Sequence, residues 1–495
     1  MKKSGVLQPA GRRNTGPRLP RFALVAPMTL VLLTAGCAGP DGRGLDESPG
    51  LAAPLVAPMA IASTEYAGRR NRLLATLSDG IVLLHARPSP KSETEWGFVQ
   101  DPSFYYFTGL SDLTGAVLAL DGPSSRTTLF LPPAPESFGF PVPGLVPAPG
   151  EETAAQMGVD AAYPWEQFGD WVQERLDAGT SVLYVDEPRR PEPTGVPPGF
   201  APAAGHLALW AAALEARFPR ASIRSAKEAI HAMRSRKSEQ EGEILAANAR
   251  LTSAALAAVA RVVEPGMRQR AAEAVVVDAC IRGGGQGPSF WPWIMSGPNA
   301  QLDNLVQAFF RYEQLDRKMV DGEVIRVDIG CAANGYGADV GRTLPVSGAF
   351  TDSQAEAWAL LVAGYEAGLA VMAGGVPVSA VREASVAAIR ERAPTLRTDQ
   401  ARIAAGAILE GGEGIWHIHG VGVESGEDAA SVLQPGAVVA YEPMVAAGPD
   451  AFYLEDMILI TDQGIRVLSA DLPRSAAGIE AMMRGELLTS AAGLR

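Results

Sequence analysis

The chain has 495 residues, of which 47% are hydrophobic and 20% are charged, and its formal net charge is −13. This composition is typical of a globular protein, and the length predicts roughly two to four domains. The acidic balance argues against nucleic acid as a partner, because a phosphate-binding surface requires clustered lysine and arginine. The three cysteines, Cys37, Cys280 and Cys331, show neither the spacing of zinc ligands nor a disulfide framework.

The first 37 residues are predicted to be a targeting segment that is not part of the fold. A basic leader precedes an uncharged, mostly apolar run over residues 22–35, which is too short to span a bilayer comfortably. The run leads into Leu-Thr-Ala-Gly-Cys at residues 33–37, which resembles a bacterial lipoprotein signal and predicts lipidation of Cys37. An ordinary secretory signal is the alternative, and both interpretations predict export. Lipidation would anchor the protein to a membrane, facing the periplasm or the cell exterior.

Residues 38–59 are rich in proline, glycine and alanine and are predicted to form a flexible tether. Residues 60–223 then alternate helical and strand patterns, which predicts an α/β amino-terminal domain. The predicted helices cover residues 64–77 and 165–176, and the predicted strands cover residues 81–84, 115–120, 127–131 and 182–185.

Residues 224–495 are predicted to form a second domain of the α+β class. Ser238 and Glu241 have the capping-box pattern that begins a helix, and a second helix is predicted over residues 269–282. Further helices are predicted to begin at Thr351 and Ser379. Beyond residue 404 the chain returns to glycine-rich loops and strands.

An acidic hairpin is predicted in the second domain. Asp328 lies within a β-branched, apolar strand, and Asn334-Gly335 favours a tight turn because both residues tolerate a positive φ. Asp339 is predicted to lie on the returning strand, so the two carboxylates are expected to face one site. An aspartate in an apolar strand is costly to bury unless a cation or a hydrogen-bond network neutralises it.

A second acidic hairpin is predicted to carry Glu442 and Glu455, and His419 lies on a glycine-flanked strand between the two hairpins. Four carboxylates and one imidazole favour a hard divalent ion such as Mn²⁺ over a sulfur-type zinc site. Because four negative charges exceed what one divalent ion neutralises, we expect two metal ions bridged by carboxylates.

The five residues and their surroundings resemble the pita-bread metallopeptidases, and within that family aminopeptidase P (Xaa-Pro aminopeptidase). The matching segments in the second domain are residues 328–346, 419–424, 435–443 and 455–457. Upstream, residues 69–70, 104–109 and 129–133 are similar to the amino-terminal domain of aminopeptidase P. The resemblance covers nearly the whole mature chain and implies an α/β amino-terminal domain followed by an α+β pita-bread domain.

The resemblance also implies a role for each ligand. Asp328 would chelate one metal ion, His419 would bind the other, and Asp339 and Glu455 would bridge the two. Glu442 would bind metal and take the proton from the attacking water. The implied cofactor is a pair of divalent ions, with Mn²⁺ preferred and Zn²⁺ or Co²⁺ as alternatives. The implied substrate is a peptide that loses its amino-terminal residue, preferentially before proline; a homo-oligomer is left open.

The chain departs from the family around this ligand set. Asn304, Ile415 and Gly426 stand where the family has histidines that contact substrate and support the oxyanion. Tyr453 stands where aminopeptidase P has an arginine, so Asn304 and Tyr453 are predicted to be substrate-binding residues. His417 is two residues from His419 on one strand, a spacing that puts both on the same face, and it is predicted to take a catalytic role. An exposed polar neighbour is the alternative interpretation of His417.

These departures leave other functions open. A catalytically weak or inactive metal-binding or partner-binding protein on the same fold is the main alternative to the aminopeptidase. A creatinase-like hydrolase of a small non-peptide amide or amidine is the third. Other candidate residues receive structural interpretations: Cys331 as a small buried residue, Glu424 and Glu427 as solvated loop acids, and residues 290–293 as either pocket lining or core. His85, His206 and His231 are interpreted as packing or surface residues.

Overall fold

A computed structural model of the chain describes residues 54–88, 99–134, 136–137, 140–141, 146–187, 205–301, 304, 307 and 310–486. The leader, Cys37 and most of the tether lie outside these residues, so lipidation and export stay predictions. Among the described segments, none of the helices combines the length and the apolar character that crossing a membrane requires.

A six-stranded mixed sheet forms the amino-terminal part of the described chain, with the strand order β6-β3-β2-β1-β7-β8. Its strands are β1 (Ile81–His85), β2 (Val117–Asp121), β3 (Arg126–Leu131), β6 (Ala161–Pro164), β7 (Val182–Val185) and β8 (Ser222–Ser225). A separate short hairpin consists of β4 (Glu136–Ser137) and β5 (Phe140–Pro141). β2 lies antiparallel to β1 and β3, whereas β7 runs parallel to β1 and β8.

Helices cover both faces of this sheet: α1 (Ser63–Thr76), α2 (Pro102–Thr108), α3 (Glu151–Met157), α4 (Phe168–Asp177), α5 (His206–Arg217) and α6 (Lys227–Arg234). Along β1, Val82 and Leu84 enter one hydrophobic cluster while Ile81 and Leu83 enter the other. The sequence of a strand that is buried on both faces is a continuous apolar run, and this explains why β1 could be predicted. The predicted α/β class is therefore confirmed. The helix predicted from Trp165 begins with a 3₁₀ turn and becomes α-helical at Phe168.

The second part of the chain contains the helices α7 (Glu239–Val262), α8 (Gln269–Arg282), α9 (Asp352–Val371), α10 (Val378–Arg392), α11 (Asp399–Gly411) and α12 (Ala476–Met483). The capping box at Ser238 and Glu241 is present, and Thr351 and Gln354 form a second one. Each box satisfies free N–H groups at a helix start, so these two helix starts are confirmed as predicted.

The strands of this part form two main antiparallel sheets that meet at the candidate site. They are β9 (Gly287–Pro288), β10 (Trp293–Ser296), β11 (Val324–Ile329), β12 (Cys331–Ala332), β13 (Val340–Pro345), β14 (Trp416–Gly420), β15 (Val438–Ala447), β16 (Asp450–Tyr453), β17 (Asp456–Thr461) and β18 (Gly464–Val467). One sheet has the order β10-β11-β13, and the other has the order β14-β15-β17-β18 with β16 on the far end of β15. One large hydrophobic cluster joins these sheets to the helices.

A disulfide joins Cys280 of α8 to Cys331 of β12, with their Cα atoms 5.5 Å apart. The prediction of no disulfide framework is therefore wrong, whereas Cys331 is buried as predicted. The two cysteines are 51 residues apart in the sequence, and their pairing depends on α8 packing against β9, the partner of β12. A lone pair of distant cysteines carries no spacing signal that could reveal this contact.

Candidate metal centre

The first acidic hairpin places Asp328 and Asp339 at the same end of β11 and β13. Asn334 and Gly335 have φ angles of 53° and 76°, as the predicted turn requires. Asp328 lies in β11 opposite Gly341, and Asp339 directly precedes β13 instead of lying within it as predicted. Gly335 also lies close to Tyr105 of the amino-terminal part. A Cβ at this position would be only 2.1 Å from Tyr105 Oη, so the close approach requires glycine.

The second acidic pair arises from a strand and a strand break. Glu442 lies within β15, opposite His417 of β14. The predicted strand around Glu455 is interrupted, and Glu455 lies between β16 and β17. The backbone N–H of Glu455 donates to Gly341 O at 2.9 Å, and Gly341 N–H donates back to Glu455 O at 3.2 Å. This bridge between the two sheets carries Glu455 to the first hairpin.

Three of the predicted ligands, Asp339, Glu442 and Glu455, converge around the imidazole of His419. Its Nε2 atom lies 3.2 Å from Glu442 Oε1, 3.7 Å from Asp339 Oδ2 and 3.8 Å from Glu455 Oε1. His419 Nδ1 lies 2.9 Å from the carbonyl oxygen of Gly420, which can only accept. A proton on Nδ1 leaves the Nε2 lone pair directed at the carboxylates, the arrangement of a metal-binding histidine.

Burial and repulsion between the carboxylates raise the pKa of three of the four acids. Burial, followed by the neighbouring carboxylates, raises the pKa of Asp339 and of Glu455 well above the ordinary range. Burial also raises the pKa of Asp328 to about 6, although Arg326 opposes the shift. For Glu442 burial acts the same way, but hydrogen bonds from His417 and His419 outweigh it and lower its pKa.

Two oxygens of the site lack a protein partner. Asp339 Oδ1 and Glu455 Oε1 are buried and accept no hydrogen bond. The two carboxyls can pair with each other only through a shared proton, so when both are ionised these oxygens are left for a cation. Asp339, His419 and Glu455 can direct one ligand atom each to within 4.8 Å of one another, and His417, His419 and Glu442 form a second such set. The residues therefore fit a divalent cation.

Tyr453 lies beneath the carboxylates. Its hydroxyl is 2.7 Å from Glu442 Oε2 and 2.8 Å from Glu455 Oε2, and the residue is only 1% exposed. One hydroxyl proton can be donated to only one carboxylate at a time, so Tyr453 links the two. Its ring packs on Gly341, where a Cβ would lie 2.1 Å from the ring edge. Substrate binding by Tyr453 stays a prediction. Sequence reasoning missed that its hydroxyl contacts two of the predicted metal ligands.

Arg326 is a second residue of the site that sequence reasoning did not single out. Its Nη2 atom lies 2.5 Å from Asp328 Oδ2, and its guanidinium lies 4.1 Å from the centre of the Tyr453 ring. Positions two apart on a strand share a face, and this periodicity is the signal that could have identified it.

His417 and Asn304 occupy more open positions. The side chain of His417 is 57% exposed, and its Nδ1 atom lies 2.5 Å from Glu442 Oε1. Both earlier interpretations of His417 therefore have support, since it is exposed and it touches Glu442. Asn304 donates to Pro298 O at 2.7 Å. Roles for both residues in catalysis or substrate binding stay predictions.

The loop after His419 is held by buried ion pairs. Glu427 is 6% exposed and accepts hydrogen bonds from Arg234 at 2.8 Å and Lys237 at 2.7 Å. Glu424 accepts from Arg234 at 2.5 Å. The interpretation of Glu427 as a solvated acid is wrong, because α6 and the segment after it supply two cations that the local sequence does not show. Glu424 pairs with Arg234 but keeps a side chain that is 35% exposed. Glu427 and Gly420 also exchange backbone hydrogen bonds, which fixes the end of β14.

An aromatic cluster adjoins Asp328. Trp293 of β10 lies opposite Asp328 in the strand register, so the two side chains share a face of the sheet. The rings of Trp291 and Trp293 meet Tyr312 edge-on at 5.6 Å and 6.2 Å, and Trp291 is 43% exposed. This position is compatible with the pocket-lining interpretation, which stays a prediction. Away from the site, His85 stacks on Trp210 at 4.9 Å, as expected of a packing residue.

Two family models match the two parts of the chain. Residues 243–462 match the model of metallopeptidase family M24, and residues 66–184 match the model of the aminopeptidase P N-terminal domain. The Xaa-Pro aminopeptidase of Escherichia coli K12 is 26% identical over 86% of this chain and 98% of its own length. The Xaa-Pro aminopeptidase of Haemophilus influenzae is 24% identical over 85% of this chain and 97% of its own length.

Solved structures share the fold. Proline aminopeptidase P II from Yersinia pestis aligns with a TM-score of 0.69 at 22% identity, over 86% of this chain and 100% of that one. Aminopeptidase P from E. coli with the inhibitor Pro-Leu aligns with a TM-score of 0.67 at 22% identity, over 86% and 99% of the two chains. The predicted architecture, an α/β amino-terminal domain before a pita-bread domain, is confirmed.

Proposed function

We propose that this chain, whose residues 243–462 match the model of metallopeptidase family M24, is a metal-dependent aminopeptidase that removes the first residue of peptides, with a preference for Xaa-Pro. The family and the Xaa-Pro aminopeptidase relatives support a metallo-aminopeptidase. The observation that carries the proposal is the convergence of Asp339, Glu442 and Glu455 on His419, with two buried carboxylate oxygens left without partners.

The donor set supports a pair of hard divalent cations, with Mn²⁺ as the preferred ion. Asp339, His419, Glu442 and Glu455 would hold one or both cations, and Asp328 would complete the set. Bound cations supply Lewis-acid polarisation of the scissile carbonyl and lower the pKa of the attacking water. Oxygen ligands outnumber nitrogen ligands four to one, which suits Mn²⁺ better than a tetrahedral zinc site.

Glu442 is placed to move the proton. Its Oε1 atom contacts both His417 and His419, while Oε2 accepts from Tyr453. In hydrolysis the water oxygen bonds to the carbonyl carbon, and Glu442 accepts the water proton. The C–N bond then breaks, and the proton passes to the leaving amine. His417 is exposed and shares a hydrogen bond with Glu442, so it can carry this proton toward the leaving group.

The lipidated, exported state is a second part of the proposal. The leader that ends at Cys37 supports it, and the Cys280–Cys331 disulfide is compatible with an oxidising compartment. Changing Cys37→Ser in the bacterial host would move the protein from the membrane fraction to the soluble exported fraction. Retention in the membrane fraction would contradict lipidation.

Peptide hydrolysis by the purified full-length protein tests the activity. We expect Mn²⁺-dependent release of the first residue from an Xaa-Pro-Xaa tripeptide, faster than from the matched Xaa-Ala-Xaa peptide. Asp339→Asn should lower kcat/KM by at least about 100-fold, because even outer partners of a metal site contribute 10- to 100-fold. The control Asp399→Asn, on the exposed start of α11, should leave the rate unchanged. Bound metal without turnover would favour the inactive metal-binding alternative instead.

A further inference from the structure

We propose that Arg326 is an internal cation that opposes filling of one metal position, so that the centre binds one divalent ion tightly and a second one weakly. The inference rests on the metal centre of the proposed function.

The position of Arg326 is fixed from several sides. Its side chain is 7% exposed, and that of Asp328 is 10% exposed. Nη2 bonds Asp328 Oδ2 at 2.5 Å, Nη1 lies 3.4 Å from Met444 Sδ, and the guanidinium stacks 4.1 Å from the Tyr453 ring centre. The buried Nε atom has no partner. The guanidinium therefore cannot withdraw to solvent without breaking these contacts.

The ligands divide into two groups on this basis. Asp339 and Glu455 have oxygens without partners, and with His419 they form a set whose ligand atoms lie within 4.8 Å of one another. Asp328 belongs to neither such set, and its Oδ2 atom is occupied by Arg326. A first cation can bind to Asp339, His419 and Glu455 without displacing a protein cation, whereas a second one that needs Asp328 must compete with Arg326.

The net charge of the site also predicts that the first divalent ion binds more tightly than the second. Four ionised carboxylates and one guanidinium carry a net charge of −3, so one divalent ion leaves −1 and a second one overshoots to +1. Without Arg326, two divalent ions would neutralise the four carboxylates. In a buried site a charge only a few ångströms away changes cation affinity strongly, and we expect about tenfold or more from removing Arg326.

Metal titration of the metal-free, full-length protein tests the inference, with Mn²⁺ followed by calorimetry and by equilibrium dialysis with elemental analysis. The wild type should bind one ion tightly and a second one at least about tenfold more weakly. Arg326→Leu should tighten the weak site by about tenfold or more, whereas the matched control Arg326→Lys, which keeps the charge, should leave the two affinities far apart.

Asp328→Asn tests the assignment of Asp328 to the weak site even if Arg326→Leu fails to fold. It should abolish the weak site and leave the tight one. Two equally tight sites in the wild type, or loss of the tight site in Asp328→Asn, would overturn the inference. Because these readouts are binding constants, they are separate from catalysis. An inactive protein with unequal sites would contradict only the proposed function, and an active enzyme with two equal sites would contradict only the role of Arg326.

Discussion

Glu455 and Asp456 are adjacent, fully buried acids with opposite electrostatic environments. Asp456 accepts hydrogen bonds from Arg342 and Ser469 at 2.7 Å each, from Arg474 at 2.8 Å and from Tyr365 at 3.1 Å. Burial opposes its ionisation, but the two arginines prevail and lower its pKa. Asp456 is therefore neutralised by the protein itself.

Glu455 has no arginine partner of this kind among the described residues. It receives one shared hydroxyl from Tyr453, and its Oε1 atom has no partner. Burial and the neighbouring carboxylates raise its pKa well above the ordinary range. A buried acid that the protein balances stabilises the fold, whereas one that it leaves unbalanced is placed for an external cation. Successive side chains near a strand point to opposite faces, which is how adjacent residues can differ so much.

The largest expected effect is a difference in protein stability between variants of these two acids. In the metal-free protein, Asp456→Asn should lower the free energy of unfolding by about 3–5 kcal/mol, because it leaves the buried Arg342 without its counter-charge. Glu455→Gln should change it by less than about 1 kcal/mol, since an amide resembles the protonated acid that burial favours. Urea unfolding measures both, and equal losses in the two variants would contradict the distinction.

Activity and metal affinity should depend on the hydroxyl that contacts Glu455. Tyr453→Phe keeps the ring but removes the hydroxyl that links Glu442 and Glu455, so kcat/KM and metal affinity should fall by about 10- to 100-fold. The matched control Tyr441→Phe removes a buried hydroxyl that contacts Ser385 instead of the ligands. That control should retain activity and metal affinity. A loss of activity in both variants alike would indicate a general packing effect.

The pH dependence of stability extends the comparison to Glu427, another neutralised acid. Burial opposes its ionisation, but Lys237 and Arg234 lower its pKa from 4.5 to about 2. A lowered carboxylate pKa contributes stability above pH 4.5, and this contribution is lost as the pH falls from about 4.5 toward 2. The difference in unfolding free energy between wild type and Glu427→Gln should therefore shrink over this window. A difference that is constant with pH would show that the ion pairs with Arg234 and Lys237 do not set it.

The smallest expected effect concerns one partner of Asp456. Ser469→Ala removes one of its several hydrogen bonds and should lower the free energy of unfolding by about 1 kcal/mol, without changing metal affinity. Thermal or urea unfolding with a parallel metal titration checks both parts. Weakened metal binding in this variant would mean that Asp456 and the ligand Glu455 are coupled.

Local patterns in the sequence predicted much of this architecture. Capping boxes located the starts of α7 and α9, and the Asn334-Gly335 turn located the first acidic hairpin. These features depend on residues a few positions apart, so one segment contains the whole signal. The four acids and His419 could be named because apolar strands make isolated polar residues conspicuous.

The features that sequence reasoning missed are contacts between distant segments. Arg326 contacts the ring of Tyr453 on another sheet, and Glu427 pairs with the last residue of α6 and with a lysine just beyond it. The disulfide between Cys280 and Cys331 likewise depends on how α8 packs. No local periodicity records these pairings, because the register and packing of whole elements determine them. Lipidation at Cys37 lies outside the described residues and stays a prediction.

The most direct test is a crystal structure with Mn²⁺, using anomalous scattering to locate the ion. We expect an anomalous peak among Asp339, His419, Glu442 and Glu455, at about 2.0–2.6 Å from the two carboxylate oxygens that have no hydrogen-bond partner. A second peak beside Asp328 should be weaker and should require displacement of Arg326. No peak within reach of Asp339 and Glu455 in metal-saturated crystals would contradict the metal centre and the hydrolysis derived from it.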